Sequence, residues 1–361
     1  MIKKIDKKNK FVSVFNQKTG FYARSGVIEN GKDTGVDPFM ASFPELIDIG
    51  IMGSCSSGKS GICIKSGIEC YQNGLEIDKP DMPLEDFKKL IDECENKTFQ
   101  VALGGRGDPD MHKDFKQILE YSREHQVIPN FTTSGCGMTE EKAEIAKEYC
   151  GAVAVSWHEA DYTLKTLDLL IKKGVKTNVH FVLSQKSIQR AYELLSAKGF
   201  PEGVNAVVFL LHKPIGLGTK AKILGMDNPL ASKFFDLASD WDMGIHKLGF
   251  DSCSVPGLLN LAHGIDEDSF DTCEAGRWSM YISADMKAMP CSFDALGNWE
   301  HDLRQSSIAQ AWASPQFEEF RKFFRRACPG CRDRRSCMGG CQIANDIVLC
   351  GRSERELPKI S

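Results

Sequence analysis

The chain has 361 residues, 14 of them cysteine, with 42% hydrophobic and 26% charged residues and a formal net charge of −4. That length exceeds one ordinary core and implies a barrel-sized domain plus a smaller one, and the weak negative charge argues against nucleic acid or an anionic membrane as the main partner. No apolar run approaches the roughly 18 residues of a membrane span, and the basic start Met1–Lys10 is not followed by the apolar stretch of a secretory signal.

Residues 1–44 match no usable pattern and are set apart as an N-terminal extension. From about residue 45 to 216, β-rich runs alternate with helical periodicity. Strands are expected at 45–52, 99–104, 129–133, 152–156, 177–183 and 206–212, with helices at 84–96, 113–126, 139–149, 162–173 and 186–198. Phe115, Ile118, Leu119 and Tyr121 recur at helical spacing. Pro83 suits the first turn of the first helix, and Thr139 is placed to cap the third. Six strands separated by helices make βαβ units and a parallel sheet. Right-handed crossovers then give an open sheet or a full or partial barrel, with ligands at the C-terminal strand ends. Residues 217–252 read as a helical bridge. Residues 253–361 carry eight of the fourteen cysteines and few periodic runs. Cysteine richness without export argues for a reducing cytoplasm, where clustered thiols hold metal more often than disulfides.

The first strand runs into Gly53-Ser-Cys55-Ser-Ser-Gly58-Lys59-Ser60-Gly-Ile-Cys63, and then Cys70-Tyr71, so three cysteines share one Gly-rich loop. Three thiolates suit three irons of a [4Fe–4S] cluster and leave the fourth for S-adenosylmethionine (SAM). The same loop contains a P-loop string, Gly53-x4-Gly58-Lys59-Ser60. A P-loop must open a helix that receives the phosphates, whereas Gly61 and Gly67 and the β-branched Ile62, Ile64 and Ile68 make a poor one. The strongest local pattern is C-terminal: Cys328-x2-Cys331-x5-Cys337-x3-Cys341, then Cys350, with Cys273 and Cys291 upstream. C-x2-C turns aim two thiolates at one metal, and seven cysteines exceed one tetrahedral site. Structural zinc is the competing reading of this array.

Together these features resemble the radical SAM superfamily with a C-terminal SPASM domain. The superfamily's C-x3-C-x2-C motif is stretched here to C-x7-C-x6-C, and Met286 stands where the SPASM pattern has glycine. The resemblance implies an α/β fold, a partial (β/α)6 TIM-like barrel followed by a cysteine-rich SPASM domain of little regular structure. It implies that Cys55, Cys63 and Cys70 hold the catalytic cluster. Cys273, Cys291 and Cys341, with Cys253 as candidate fourth ligand, would hold a first auxiliary cluster, and Cys328, Cys331, Cys337 and Cys350 a second. SAM would lie on Gly104, Gly105, Arg106, Gly107, Asp108 and Pro109, a variant of the family's Gly-Gly-Glu-Pro strand exit, with Thr133, Ser156, Asn178 and Tyr71 as further contacts. His212 or Lys213 is expected to meet SAM or substrate, and Asp294 is the candidate catalytic base. Cys94, Cys136 and Cys150 read as ordinary buried or half-buried residues. The implied activity is that of a cytoplasmic radical SAM oxidoreductase or peptide maturase. It would abstract hydrogen from a peptide or small-molecule substrate, with auxiliary clusters as electron acceptor or substrate anchor and a flavodoxin or ferredoxin as electron donor. The rival classes are a P-loop nucleotide hydrolase with a zinc-bound tail and a non-catalytic metal-bound module.

Overall fold

The computed structural model describes residues 1–350 except 66, 243, 244, 267, 268, 270, 327, 332 and 348, and the backbone alone of residue 64; residues 351–361 of the expected C-terminal domain lie outside it. The N-terminal segment is structured. Strands β1 (Ile2–Asp6), β2 (Phe11–Phe15) and β3 (Tyr22–Arg24) form an antiparallel sheet, and β4 (Ile28–Glu29) and β5 (Lys32–Asp33) a small hairpin. Alternation in Phe-Val-Ser-Val-Phe buries Phe11, Ser13 and Phe15 on one face. Phe15 packs on Phe99 and Ile128, where two barrel strands begin, and the Ser13 and Tyr22 hydroxyls donate to the Glu45 carboxylate. This sheet therefore seals the N-terminal end of the barrel, leaving the other end for the site.

The alternating segment folds as its periodicity demands. The strands are β6 (Leu46–Ile49), β7 (Gln100–Leu103), β8 (Ile128–Thr133), β9 (Val153–Ser156), β10 (Thr177–Leu183) and β11 (Ala206–Leu211). Helices Leu84–Cys94, Phe115–Glu124, Glu140–Tyr149, Asp161–Lys172 and Ile188–Ser196 alternate with them. In the first helix Phe87, Leu90, Ile91 and Cys94 are buried at helical spacing, so Cys94 is a core residue. Pro83 lies one residue ahead of that helix, at its N-cap position. Thr139 caps its helix by accepting from the Lys142 N–H at 3.3 Å.

Beyond residue 216 the chain returns to the sheet twice, which its sequence did not foretell. After the helix Pro229–Ser239, β12 (Lys247–Phe250) adds in parallel to β11. Strand β13 (Ser279–Ile282) adds in parallel to β6 on the other side, and β14 (Lys287–Met289) and β15 (His301–Asp302) follow antiparallel. Among the described residues the sheet order is β12-β11-β10-β9-β8-β7-β6-β13-β14-β15. The turn from β13 to β14 holds Met286 at φ +61°. A left-handed residue is required there, which is why glycine suits the position. No described helix is long and apolar enough to cross a membrane.

Candidate active site and cluster-binding cysteines

The loop after β6 leaves the C-terminal face of the barrel. Cys55 caps a single helical turn, Ser56–Lys59, its sulfur accepting from the Gly58 N–H at 3.2 Å. Gly61 at φ +74° ends that turn, and another short turn, Ile62–Lys65, carries Cys63. Four helical residues broken by a left-handed glycine cannot present the N-terminus a triphosphate needs, which removes the P-loop reading. Gly58 is needed for a different reason: a Cβ there would sit 2.4 Å from the Gly74 carbonyl oxygen. The chain thus folds back until a Cβ on Gly74 would lie 3.5 Å from the Cys55 sulfur and 3.6 Å from the Cys70 sulfur. Burial, followed by the neighbouring Cys55 and Cys70, pushes the Cys63 thiol up to about 11. Three mutually repelling thiols at a strand exit are what a cation-rich cluster relieves.

The neighbouring strand exits lock this loop. Arg106 donates from Nε to the Gln72 carbonyl and from Nη1 to the Gly53 carbonyl, each at 3.2 Å. Asp108 accepts from the Ser134 N–H at 2.6 Å, the Ser134 hydroxyl at 2.7 Å and the Ser57 hydroxyl at 3.4 Å. Glu69 accepts from the Thr219 N–H at 2.7 Å and pairs with Lys222 at 2.9 Å. Several expected ligand contacts are therefore already spent. Thr133 donates to buried Asp110 and accepts from the Gly135 N–H. The Asn178 Oδ1 accepts from Asn205 at 2.8 Å. His212 meets the Thr219 carbonyl at 3.0 Å, and Lys213 pairs with Asp251 at 2.6 Å, so neither is free for SAM. The Ser156 hydroxyl has no hydrogen-bond partner among the described residues. It stays available at the C-terminal end of β9.

The second thiol group assembles from four separate segments. Cys253 lies in the turn Ser252–Ser254 after β12, Cys273 ahead of β13, Cys291 after β14, and Cys341 beyond the helix Pro315–Arg326. The Cys253 thiol donates to Cys341, which also accepts the Ala344 N–H at 3.2 Å; this and nearby Lys213 hold Cys341 toward thiolate. Burial, then the neighbouring Cys341, pushes Cys273 up to about 11. Burial raises Cys291 further, with Cys273 and Cys341 adding to it. Cys273 and Cys291 pack with Ala275, Trp299, Phe320 and Phe324 in one apolar cluster, and Cys253 and Cys341 pack against the main core. Among the described residues no three His, Cys, Asp or Glu side chains are set as ligands of one metal ion. A cubane asks for a wider arrangement, because each thiolate takes its own iron. Four converging thiols in apolar surroundings fit that demand.

The third group is more local. Cys328, at φ +44°, accepts the Cys331 N–H at 3.1 Å, and Cys337 ends the short helix Arg334–Cys337. Cys350 follows buried Leu349. Asp294, expected as a base, closes a turn instead: its oxygens accept the Asn298 N–H at 2.9 Å and the Trp299 N–H at 3.0 Å. Two residues that the sequence reading missed face the barrel interior. On β6, Ile47 and Ile49 are buried against the helices, so Asp48 points inward. Burial alone pushes its carboxyl up to about 7. Tyr281 pairs with Asp48 in register across β13 and β6, and its hydroxyl occupies the space a Cβ on Gly50 would need. A charged residue inside the apolar run Leu-Ile-Asp-Ile was the available signal for Asp48. Tyr281 carried none.

Residues 273–338, which carry Cys273, Cys291, Cys328, Cys331 and Cys337, match the SPASM iron–sulfur cluster-binding domain model. The chain is a radical SAM enzyme with a SPASM domain. It is 25% identical over 312 residues to mycofactocin maturase MftC of Mycobacterium ulcerans, covering 78% of this chain and 80% of that one. It is 22% identical over 209 residues to the Fe-coproporphyrin III synthase of Methanosarcina barkeri, covering about half of each. In fold it is similar to Streptococcus suis SuiB bound to SAM, with a TM-score of 0.65, 16% identity, and coverage of 87% of this chain and 78% of that one. It is also similar to anSMEcpe with bound AdoMet, with a TM-score of 0.61, 16% identity, and coverage of 87% and 89%. The cofactors of this radical SAM enzyme are [4Fe–4S] clusters and SAM.

Proposed function

We propose that this radical SAM enzyme oxidises or cross-links a side chain of a peptide, with Cys55, Cys63 and Cys70 holding the catalytic cluster. In the same reading Cys253, Cys273, Cys291 and Cys341 hold the first auxiliary cluster, and Cys328, Cys331, Cys337 and Cys350 the second. When bound, SAM and the reduced cluster supply a 5′-deoxyadenosyl radical that takes hydrogen from an unactivated C–H bond. The observation that carries the peptide reading is a cavity of about 200 Å³ between the catalytic loop and the C-terminal domain. Met52, Gln72 and Arg106 form one wall, and Tyr281, Asp285 and Glu300 the other. That volume takes one side chain rather than a whole small-molecule cofactor, so a longer substrate would lay its backbone outside. MftC is by name a maturase, and SuiB is known in complex with its precursor peptide SuiA.

Asp48, on the barrel interior and paired in register with the cavity residue Tyr281, is the proton acceptor in this reading; Asp294 lines the cavity itself, but its oxygens are held by the Asn298 and Trp299 N–H groups. Burial keeps the affinity of Asp48 for a proton high. Arg106 and Asp108 hold the loop and strand exits rigid, so the thiols and the substrate keep one relative position. A flavodoxin or ferredoxin is the electron donor in this reading. The test is an anaerobic preparation assayed for iron, sulfide and zinc, then given SAM, dithionite and candidate precursor peptides encoded beside its gene. Roughly twelve irons per chain, release of 5′-deoxyadenosine and a loss of hydrogen mass from one peptide are expected. Zinc in place of iron, or SAM cleavage that no peptide stimulates, would overturn the reading.

A further inference from the structure

Lys213, two residues past the end of β11, is a cation buried at the C-terminal face of the barrel, with its side chain only 2% exposed. Burying an ammonium costs several kcal/mol unless it is paired and hydrogen-bonded. Here Nζ lies 2.6 Å from Asp251 Oδ2 and 3.0 Å from the Leu211 carbonyl. Asp251 is itself fixed, accepting from the Leu211 N–H at 3.2 Å and the Ser254 hydroxyl at 2.7 Å. Asp251 precedes Cys253 by two residues. On its other side the ammonium lies 4.5 Å from the centre of the Phe293 ring, two residues past Cys291. One fixed positive charge thus stands between two of the four segments that bring thiols together, and its field reaches Cys253, Cys291 and Cys341. Arg277, a second buried cation, donates from Nε and Nη1 to the Phe39 carbonyl, Thr272 and the Cys273 carbonyl, and its field falls on Cys273, which the field of Lys213 is not found to reach.

We propose that Lys213 is a positioning and tuning residue for the first auxiliary cluster, placing a permanent positive charge against an anionic site and so making that cluster easier to reduce. The inference rests on the reading that Cys253, Cys273, Cys291 and Cys341 hold this cluster. Four thiolates outweigh the positive charge of the core, and an added electron makes the site more negative. A charge buried to this degree is weakly screened, so it acts on that step directly. Asp251 opposes this effect from farther away while holding the ammonium in place. Removing the two charges separately must therefore move the potential in opposite directions, which general loosening of the site would not do.

The test is EPR-monitored redox titration of anaerobically loaded protein, with Lys213→Met, Lys213→Arg and Asp251→Asn beside the wild type. Lys213→Met is expected to lower the potential of the first auxiliary cluster, Asp251→Asn to raise it, and Lys213→Arg to leave it near wild type, with the catalytic cluster unmoved in all three. Shifts of the same sign in Met and Asn variants, no shift in either, or an equal shift of the catalytic cluster would overturn the proposal. If Lys213→Met fails to load iron, the sign of the Asp251→Asn shift decides. Cys253→Ala separates the two readings: if it leaves the iron content and this cluster's signal unchanged, the ligand assignment fails, whatever Lys213 does.

Discussion

The two well-assembled thiol groups of this molecule differ in how they are built. Cys55, Cys63 and Cys70 come from one continuous loop, braced by polar side chains and facing the mouth of the barrel. Cys253, Cys273, Cys291 and Cys341 come from four segments and sit in apolar surroundings with a buried ammonium beside them. Three thiols at an open mouth leave room for an exchangeable ligand, whereas four in apolar surroundings suit a cluster that stays closed and passes charge. The spread of segments teaches a second point. The four-thiol group exists only once β12 and β13 have added to opposite edges of the barrel sheet, so its assembly reports on folding of the whole chain.

The largest expected effect breaks the comparison at its open side. Alanine at Cys55, Cys63 or Cys70 is expected to bring 5′-deoxyadenosine release to background while the auxiliary iron stays. Iron analysis beside product chromatography reads both. Loss of all iron would mean that the loop also holds the fold. Next comes the closed side. Cys253→Ala is expected to keep reductive SAM cleavage and lose peptide modification, seen as deoxyadenosine without a mass change in the peptide. Retained modification would show that the fourth thiol is dispensable.

How legible these two groups were in the sequence follows from the same contrast. The loop cysteines are close in the chain, so spacing and glycines revealed them even with a stretched motif. The six central strands and five helices were legible because a buried apolar face repeats at a fixed period on each. Cys253 carried a weaker signal, since nothing near it in sequence shows that β12 brings it to Cys341. Strand β13 was hidden because its partner β6 lies more than 200 residues earlier, and short strands without their own hairpin look like loop. Asp294 was named for its proximity to Cys291, which says nothing about which backbone donors its carboxylate will meet. The N-terminal sheet was missed because its two-residue periodicity runs over only five residues per strand.

Asp48 sharpens the comparison from between the two groups. Its carboxyl is raised from 3.8 to about 7 by burial. A group whose folded pKa exceeds its unfolded value adds stability at low pH and loses that contribution as pH rises through the folded value. Asp48→Asn is therefore expected to gain thermal stability relative to wild type progressively between about pH 4 and 7, and to hold that gain above. Peptide conversion in the wild type should rise with pH through the same upper region. The variant should lose roughly 10²-fold in conversion and keep SAM cleavage. A parallel pH profile in the two proteins would place the proton acceptor elsewhere.

The smallest effect concerns the joint between the two groups. Tyr71, next to Cys70, lies against Phe293 at 4.6 Å between ring centres, and Gln72 donates to the Ser292 carbonyl at 3.0 Å. The open loop and the closed group therefore meet at an aromatic contact and a hydrogen bond. Phe293→Leu keeps most of the volume but removes the ring–ring contact and the ring face under Lys213. An aromatic pair contributes about 1 kcal/mol beyond its buried area, and a screened cation–π contact a similar amount. In a chain of this size that corresponds to a fall of roughly 2–4 °C in melting temperature. Iron content and SAM cleavage should hold, while peptide conversion drops several-fold because the thiol loop and the auxiliary group no longer keep one fixed spacing. If calorimetry shows the expected fall and conversion is untouched, the contact serves stability alone and the two groups act independently of how closely they are joined.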